Sequence, residues 1–213
     1  MKDLVIITAD ADMKAVMEVV MDRPKSLGIR PINCEVHPND GRDSALVKDG
    51  PELTRKHKAG FKRVLLLWDH HGCGRERLPP DKVRGDVQDR LNSVSWRDRS
   101  NAVTLVPELE EWVWHSPNAI RVWLERETGR SLTDGELTSW QNEFAIQQDR
   151  SIDQIRQELP KELLEFVCRR CLQRKPRVRD YDIIARAASL DAWRASTSFQ
   201  AVTGWLQRCF PPS

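Results

Sequence analysis

Carboxylates gather at three places along this chain, each just after an apolar run. Asp10 and Asp12 follow Leu4-Val5-Ile6-Ile7-Thr8. Asp69 follows Val64-Leu65-Leu66-Leu67-Trp68 and is itself followed by His70 and His71. Glu108, Glu110 and Glu111 follow Ala102-Val103-Thr104-Leu105-Val106 and Pro107. If the runs are strands of a parallel sheet, the acids emerge together beyond the carboxyl ends of the strands, where open α/β sheets bind their ligands. Carboxylates meeting at one edge repel each other unless a cation lies between them. Mg²⁺ and Mn²⁺ prefer oxygen ligands, and a nitrogen ligand from His71 would favour Mn²⁺. Such a site can position and activate a phosphodiester or a water.

The acids also have structural roles open to them. Asp10 or Asp12 can cap a helix. The three glutamates can be favourable charges in a helix's first turn. Asp69 is the firmest functional candidate, because a charge straight after five apolar residues is costly unless it is paired or sits at the sheet edge.

The elements that must position these acids are legible in the apolar pattern. Residues 4–8 read as a buried strand, from length and β-branched content. Met13, Val16, Met17, Val20 and Met21 recur at helical spacing, so residues 12–22 read as an amphipathic helix. Residues 29–37 read as a second strand, with Pro31 arguing for an early or edge position. Residues 38–43 read as a polar loop, and a helix is expected from Pro51 to Gly60. Residues 63–69 form the strongest strand. A Gly72–Gly74 loop follows, then a helix from Pro79-Pro80 to about Leu91, and a fourth strand over residues 102–106.

Strand and helix alternate four times, which predicts an α/β fold: a mainly parallel four-stranded sheet flanked by helices. From residue 117 the pattern is helical only, with helices expected over 117–127, 134–147, 151–157, 160–174, 179–188 and 198–209. Residues 1–116 are read as the α/β core, and residues 117–213 as a helical region packed on it as one unit.

Composition narrows the class. Apolar residues make up 39% and charged residues 31%, and no apolar run approaches the length of a membrane span. The N-terminus has no signal-peptide layout, so a cytoplasmic location and no membrane partner are expected. Five cysteines, an odd and sparse set, argue against disulfides. Charge is segregated: residues 54–99 carry 12 Lys/Arg against 6 Asp/Glu, residues 100–160 carry 5 against 11, and residues 161–213 carry 10 against 5. Basic segments of this kind suit either nucleic acid or solvated helix faces. Arg75 and Arg77, on the loop after Asp69, are read as phosphate-binding residues.

Three stretches resemble TOPRIM domains, found in topoisomerases, primases and overcoming-lysogenization-type nucleases. More closely, they resemble a bacterial family of TOPRIM-like proteins, some of which travel with phage-defence genes. The stretches are Leu65-Leu66-Leu67-Trp68-Asp69, Val106-Pro107-Glu108-Leu109-Glu110-Glu111-Trp112, and Ser196-Thr197-Ser198-Phe199 with the apolar helix after it. The resemblance implies a metal-dependent, nuclease-like phosphodiester reaction with Mg or Mn as cofactor, in bacterial defence or DNA maintenance. It implies nucleic acid and proteins of a defence operon as partners. Asp69 and Glu110 match the family's acids and would be catalytic residues and principal metal ligands, with Asp10, Asp12 or His71 completing the shell. Thr8 stands where the family has a Glu, and His71 where it has the second Asp. These departures make an inactive subunit of a multi-protein defence complex the alternative.

Weaker signals remain. Cys168 and Cys171 have metal-ligand spacing, which Cys34 and His37 could complete as a zinc site; buried thiols are the alternative. Cys73 near His70 and His71 has the makings of a nucleophile. Trp114 and His115 lie near enough to the acids to touch a substrate. Trp112, Trp123, Trp140, Trp193 and Trp205 read as core or interface.

Overall fold

The structure is a computed structural model and describes residues 1–212. Among the described residues, β1 (Lys2–Thr8), β2 (Cys34–Pro38), β3 (Phe61–Asp69) and β4 (Ser100–Leu105) form one sheet in the order β2-β1-β3-β4. Every neighbouring pair is parallel, with Ile6 opposite Leu65, Leu67 opposite Val103, and Asp69 opposite Leu105. The connections are helical: α1 (Ala11–Met21) and α2 (Pro24–Leu27) after β1, α3 (Arg42–Leu53) after β2, and α4 (Pro80–Leu91) after β3. After β4 come α5 (Glu110–Trp114), α6 (Pro117–Thr128), α7 (Asp134–Gln147), α8 (Ile152–Glu158) and α9 (Pro160–Leu172). The chain then runs through α10 (Val178–Ala187), α11 (Leu190–Trp193) and α12 (Thr197–Cys209). The expected α/β class is observed. No helix is long and apolar enough to cross a membrane.

Strand parity divides the core in two. Successive strand residues point to opposite faces. Leu4, Ile6, Leu65 and Leu67 therefore bury against α1 and the helices after residue 117, in one cluster with Trp112, Trp123, Leu164, Ile184, Trp193 and Phe199. Val5, Ile7, Val64, Leu66 and Trp68 bury on the other face against Leu46 and Val47 of α3 and Val83, Val87 and Leu91 of α4. Each fully buried side chain of this size contributes roughly 1.5–3 kcal/mol. Parity also aims the site: Asp69 shares the side of Leu65 and Leu67, so its carboxylate turns toward the C-terminal helices.

Several element boundaries differ from expectation. β2 covers residues 34–38, so Pro31 precedes the strand, and β2 is an edge of the sheet. The helix expected over residues 51–60 is instead α3, with Pro51 inside it and a 3₁₀ turn at residues 54–57. Proline has no N–H to offer the carbonyl four residues back. That carbonyl belongs to Val47, and the Arg90 guanidinium of α4 donates to it and to the Lys48 carbonyl. Gly50 lets α3 lie close on the sheet, since a Cβ there would come 3.0 Å from Leu46 Cδ1 and 3.3 Å from Leu66 Cδ1.

Candidate metal centre

The site begins where β3 and β4 end. The pairing of the two strands continues into their loops: the His70 N–H donates to the Leu105 carbonyl (2.8 Å) and the His71 N–H to the Pro107 carbonyl (3.1 Å). This lays residues 106–109 beside Asp69. Asp69 Oδ1 accepts the Leu109 N–H (3.0 Å), which fixes the carboxylate at the start of α5. Glu110, the first residue of α5, turns toward it. One ligand oxygen from each of Asp69, Glu108 and Glu110 lies within 4.8 Å of the others. These three residues are 5%, 5% and 2% exposed.

The flanking acids complete a negative basin. Asp10 caps α1, its Oδ1 accepting the Met13 N–H (2.9 Å). Asp12 follows on α1 and senses both Asp10 and Glu110. Asp43 of α3 accepts the Asp69 N–H (2.7 Å). His71 Nδ1 lies 3.6 Å from Glu108 Oε1, at the rim. Two groups arrive from the C-terminal helices. Tyr181 of α10 donates its hydroxyl to Glu110 Oε1. Lys161 of α9 places Nζ 3.6 Å from Glu108 Oε2. A groove of about 500 Å³ opens beside the acids, lined by Asp10, Asp12, Asn39, Asp40, Arg42 and Lys161 among others.

Electrostatics follows from burial and like charge. Burial first, then the charges of Glu110, Asp43, Asp10 and Glu108, pushes Asp69 well above the carboxylate range. Burial raises Glu110 as well, against the opposing influence of Lys161 and the Tyr181 hydrogen bond. Glu108 and Asp43 are raised, again chiefly by burial. Asp12 is pushed up to about 6 by burial, then by Asp10 and Glu110. Burial disfavours the charge on Lys161, but Glu110, Glu108, Asp69 and Asp10 outweigh it and hold the ammonium above its ordinary range. One lysine does not neutralise this many acids. They must hold protons or share a cation.

The residues fit a hard divalent cation. Every donor in the trio is a carboxylate oxygen, which suits Mg²⁺ or Mn²⁺. Glu110 Oε2 is buried and has no hydrogen-bond partner. Buried polar atoms are nearly always paired, so an orphan oxygen inside an acidic trio marks a place for a ligand.

Of the residues singled out in the sequence, Asp69, Glu110, Asp10, Asp12 and His71 gather here, and Glu108 joins them. Glu111 does not: it turns to His115, Oε1 to Nε2 at 2.6 Å. Arg75 pairs with Asp86 (2.5 Å), while Arg77 is exposed on the same loop. Trp114 is buried, its indole N–H on the Pro160 carbonyl (2.8 Å). Among the described residues, Cys34, His37, Cys168 and Cys171 form no metal-ligating group, and burial pushes the Cys34 and Cys168 thiols up to about 12. Burial also raises Cys73, which lies 3.9 Å from His70 Nδ1. Asp43, Lys161 and Tyr181 were missed from sequence. Tyr181 is the chain's one tyrosine, the only hint of the three that its sequence carries.

No protein-family model matches the chain, and no curated protein matches it. Solved structures of the C-terminal region of the OLD protein of Xanthomonas campestris pv. campestris are similar to it. The iodine-phased structure has a TM-score of 0.46 at 15% identity, covering 96% of each chain. The mercury-phased structure has a TM-score of 0.47 at 16% identity, again covering 96% of each. The platinum-phased one gives 0.46 at 16%, covering 96% of this chain and 94% of that one. At such values no residue role passes from one chain to the other.

Proposed function

We propose that the chain is a metal-dependent, nuclease-like protein that processes phosphodiesters of nucleic acid, in bacterial defence or DNA maintenance. The observation that carries this reading is the unpartnered, buried Glu110 Oε2 facing a trio of carboxylates. Asp69, Glu108 and Glu110 would hold Mg²⁺ or Mn²⁺, with Asp10, Asp12 or His71 at the margin. When bound, such an ion stabilises charge on a phosphoryl oxygen and lowers the pKa of water. The chain's own groups do the rest. Leu109 N–H and Asp43 orient Asp69 from either side. Tyr181 fixes the rotamer of Glu110 and leaves its second oxygen free. Lys161 and Arg42, on the groove beside Asp10 and Asp12, would draw in a phosphate, and Arg75 and Arg77 would hold the neighbouring backbone.

The test is cleavage of plasmid, single-stranded DNA and RNA with Mn²⁺ or Mg²⁺, compared with Asp69→Ala. Full activity in the variant overturns the site assignment.

A second reading, an inactive subunit of a defence complex, is favoured by Thr8 and Lys161. The Thr8 hydroxyl is spent on the Asp10 carbonyl (2.9 Å), and the Lys161 ammonium already leans on Glu108. Absence of Mn²⁺ binding at millimolar metal, with co-purification of proteins from neighbouring genes, would favour it.

A further inference from the structure

The Ser196-Thr197-Ser198 stretch takes no part in the acidic site. It opens α12 against edge strand β4 and the start of α4, and the three elements enclose a second cavity of about 410 Å³. Pro79, Pro80 and Val106 give it apolar walls. Its polar lining is incompletely satisfied. Thr104 of β4 is 7% exposed, and its hydroxyl has no partner. Glu111 gives Oε1 to His115, while its buried Oε2 has no partner. At the mouth of α12 the Ser198 hydroxyl is already engaged, by the Trp112 indole N–H (2.7 Å) and by Ser196 Oγ (3.0 Å). Ser196 Oγ reaches the Phe199 N–H at 3.4 Å. The amides of Thr197 and Ser198 have no acceptor within the helix.

The ligand chemistry follows from this mixture. An anion would be repelled by Glu111. A cation would meet the positive end of α12 and the Arg84 side chain. A neutral, flat molecule with adjacent donors and acceptors on one edge suits both features. Guanine has such an edge: N1–H and the N2 amine donate, and O6 beside them accepts. Its ring faces suit proline and valine walls, and the cavity falls in the usual range for small-ligand pockets.

We propose that this cavity receives an unpaired guanine of a nucleic-acid strand, with N1–H and N2–H on Glu111 Oε2 and O6 on the α12 amides or the Thr104 hydroxyl. Glu111 adjoins Glu110 in sequence, so a base held here belongs to a nucleotide near the acidic trio. The assignment of the base to a strand rests on the phosphodiester reading above; binding of the base itself needs no metal.

The experiment is equilibrium binding in EDTA, with guanosine, inosine and adenosine as free probes. Oligothymidylates with and without one internal guanine serve as strand probes. Guanosine should bind about tenfold or more tightly than inosine, which lacks the N2 amine, and the guanine-bearing oligonucleotide should outbind its all-thymine counterpart. Glu111→Gln should abolish both preferences, and Thr104→Val should weaken guanosine binding while the fold is unharmed. Equal binding of all nucleosides, or preferences unchanged in Glu111→Gln, overturns the pocket. Guanosine binding without discrimination between the oligonucleotides overturns the strand assignment. Mn²⁺ titration of the same Glu111→Gln protein should match wild type, so failure of the base pocket and failure of the metal reading are separable.

Discussion

Replacing Asp69 by Asn should stabilise the metal-free protein, the reverse of what a buried polar substitution usually does. The ligand oxygens of Asp69, Glu108 and Glu110 lie within 4.8 Å of one another. At an effective dielectric near 20, two unit charges at that separation repel by about 3 kcal/mol. Asp69 can escape by keeping a proton, which costs about 4 kcal/mol at pH 7 for a group with an ordinary aspartate pKa. Protonation therefore caps the penalty. Asn carries no charge, yet it keeps an oxygen for the Leu109 N–H. The expected gain is about 2–4 kcal/mol, or a Tm rise of about 4–16 °C for a chain of this size. The assay is thermal unfolding in EDTA and across a Mn²⁺ titration. Wild type should gain about 3 kcal/mol at a hundredfold excess of metal over Kd, and the variant should gain almost nothing. A variant less stable than wild type in EDTA, or one that keeps the full Mn²⁺ shift, refutes the reasoning.

Other consequences are testable on the same protein. Tyr181→Phe leaves both Glu110 oxygens buried without a donor, so metal-free stability in urea should fall by about 1–3 kcal/mol. Arg90→Ala uncovers the Val47 and Lys48 carbonyls beside Pro51 and should cost a similar 1–3 kcal/mol, roughly, with Mn²⁺ affinity unchanged. The pH dependence of the metal-free protein has a definite sign. Asp12 has its folded pKa raised from 3.8 to about 6, so its neutral form favours folding below pH 4, and that contribution is lost as pH rises through 6. Metal-free stability should therefore fall between pH 4 and 6 by about 1–2 kcal/mol from Asp12, after solvent screening of a half-buried group. With Mn²⁺ present the slope should reverse, because a bound cation needs ionised ligands.

The parts of the fold and site that were legible in the sequence share a physical origin. The β3 run and Asp69 are local: five apolar residues and a charge declare a buried strand end without help from elsewhere. Asp10, Asp12 and Glu110 were legible for the same reason. Glu111 illustrates what the pattern could not resolve. One residue along a helix turns a side chain by about 100°, so Glu110 enters the site while Glu111 leaves it, and α5's phase is set only by packing. Pro51 misled the α3 boundary because the donor it lacks is replaced by Arg90, on another helix. Lys161, Tyr181 and Asp43 lie far from Asp69 along the chain, and only the folding of α9, α10 and α3 onto one edge brings them in. No local pattern encodes that approach.

The central claim is that Asp69, Glu108 and Glu110 share one divalent cation. An anomalous-scattering map of crystals soaked in Mn²⁺ tests it directly. The account predicts a peak bounded by these three carboxylates, within ligand distance of Glu110 Oε2 and lost in Asp69→Asn. A map with no peak there at saturating Mn²⁺, with the Lys161 ammonium filling the space between the carboxylates, would contradict it.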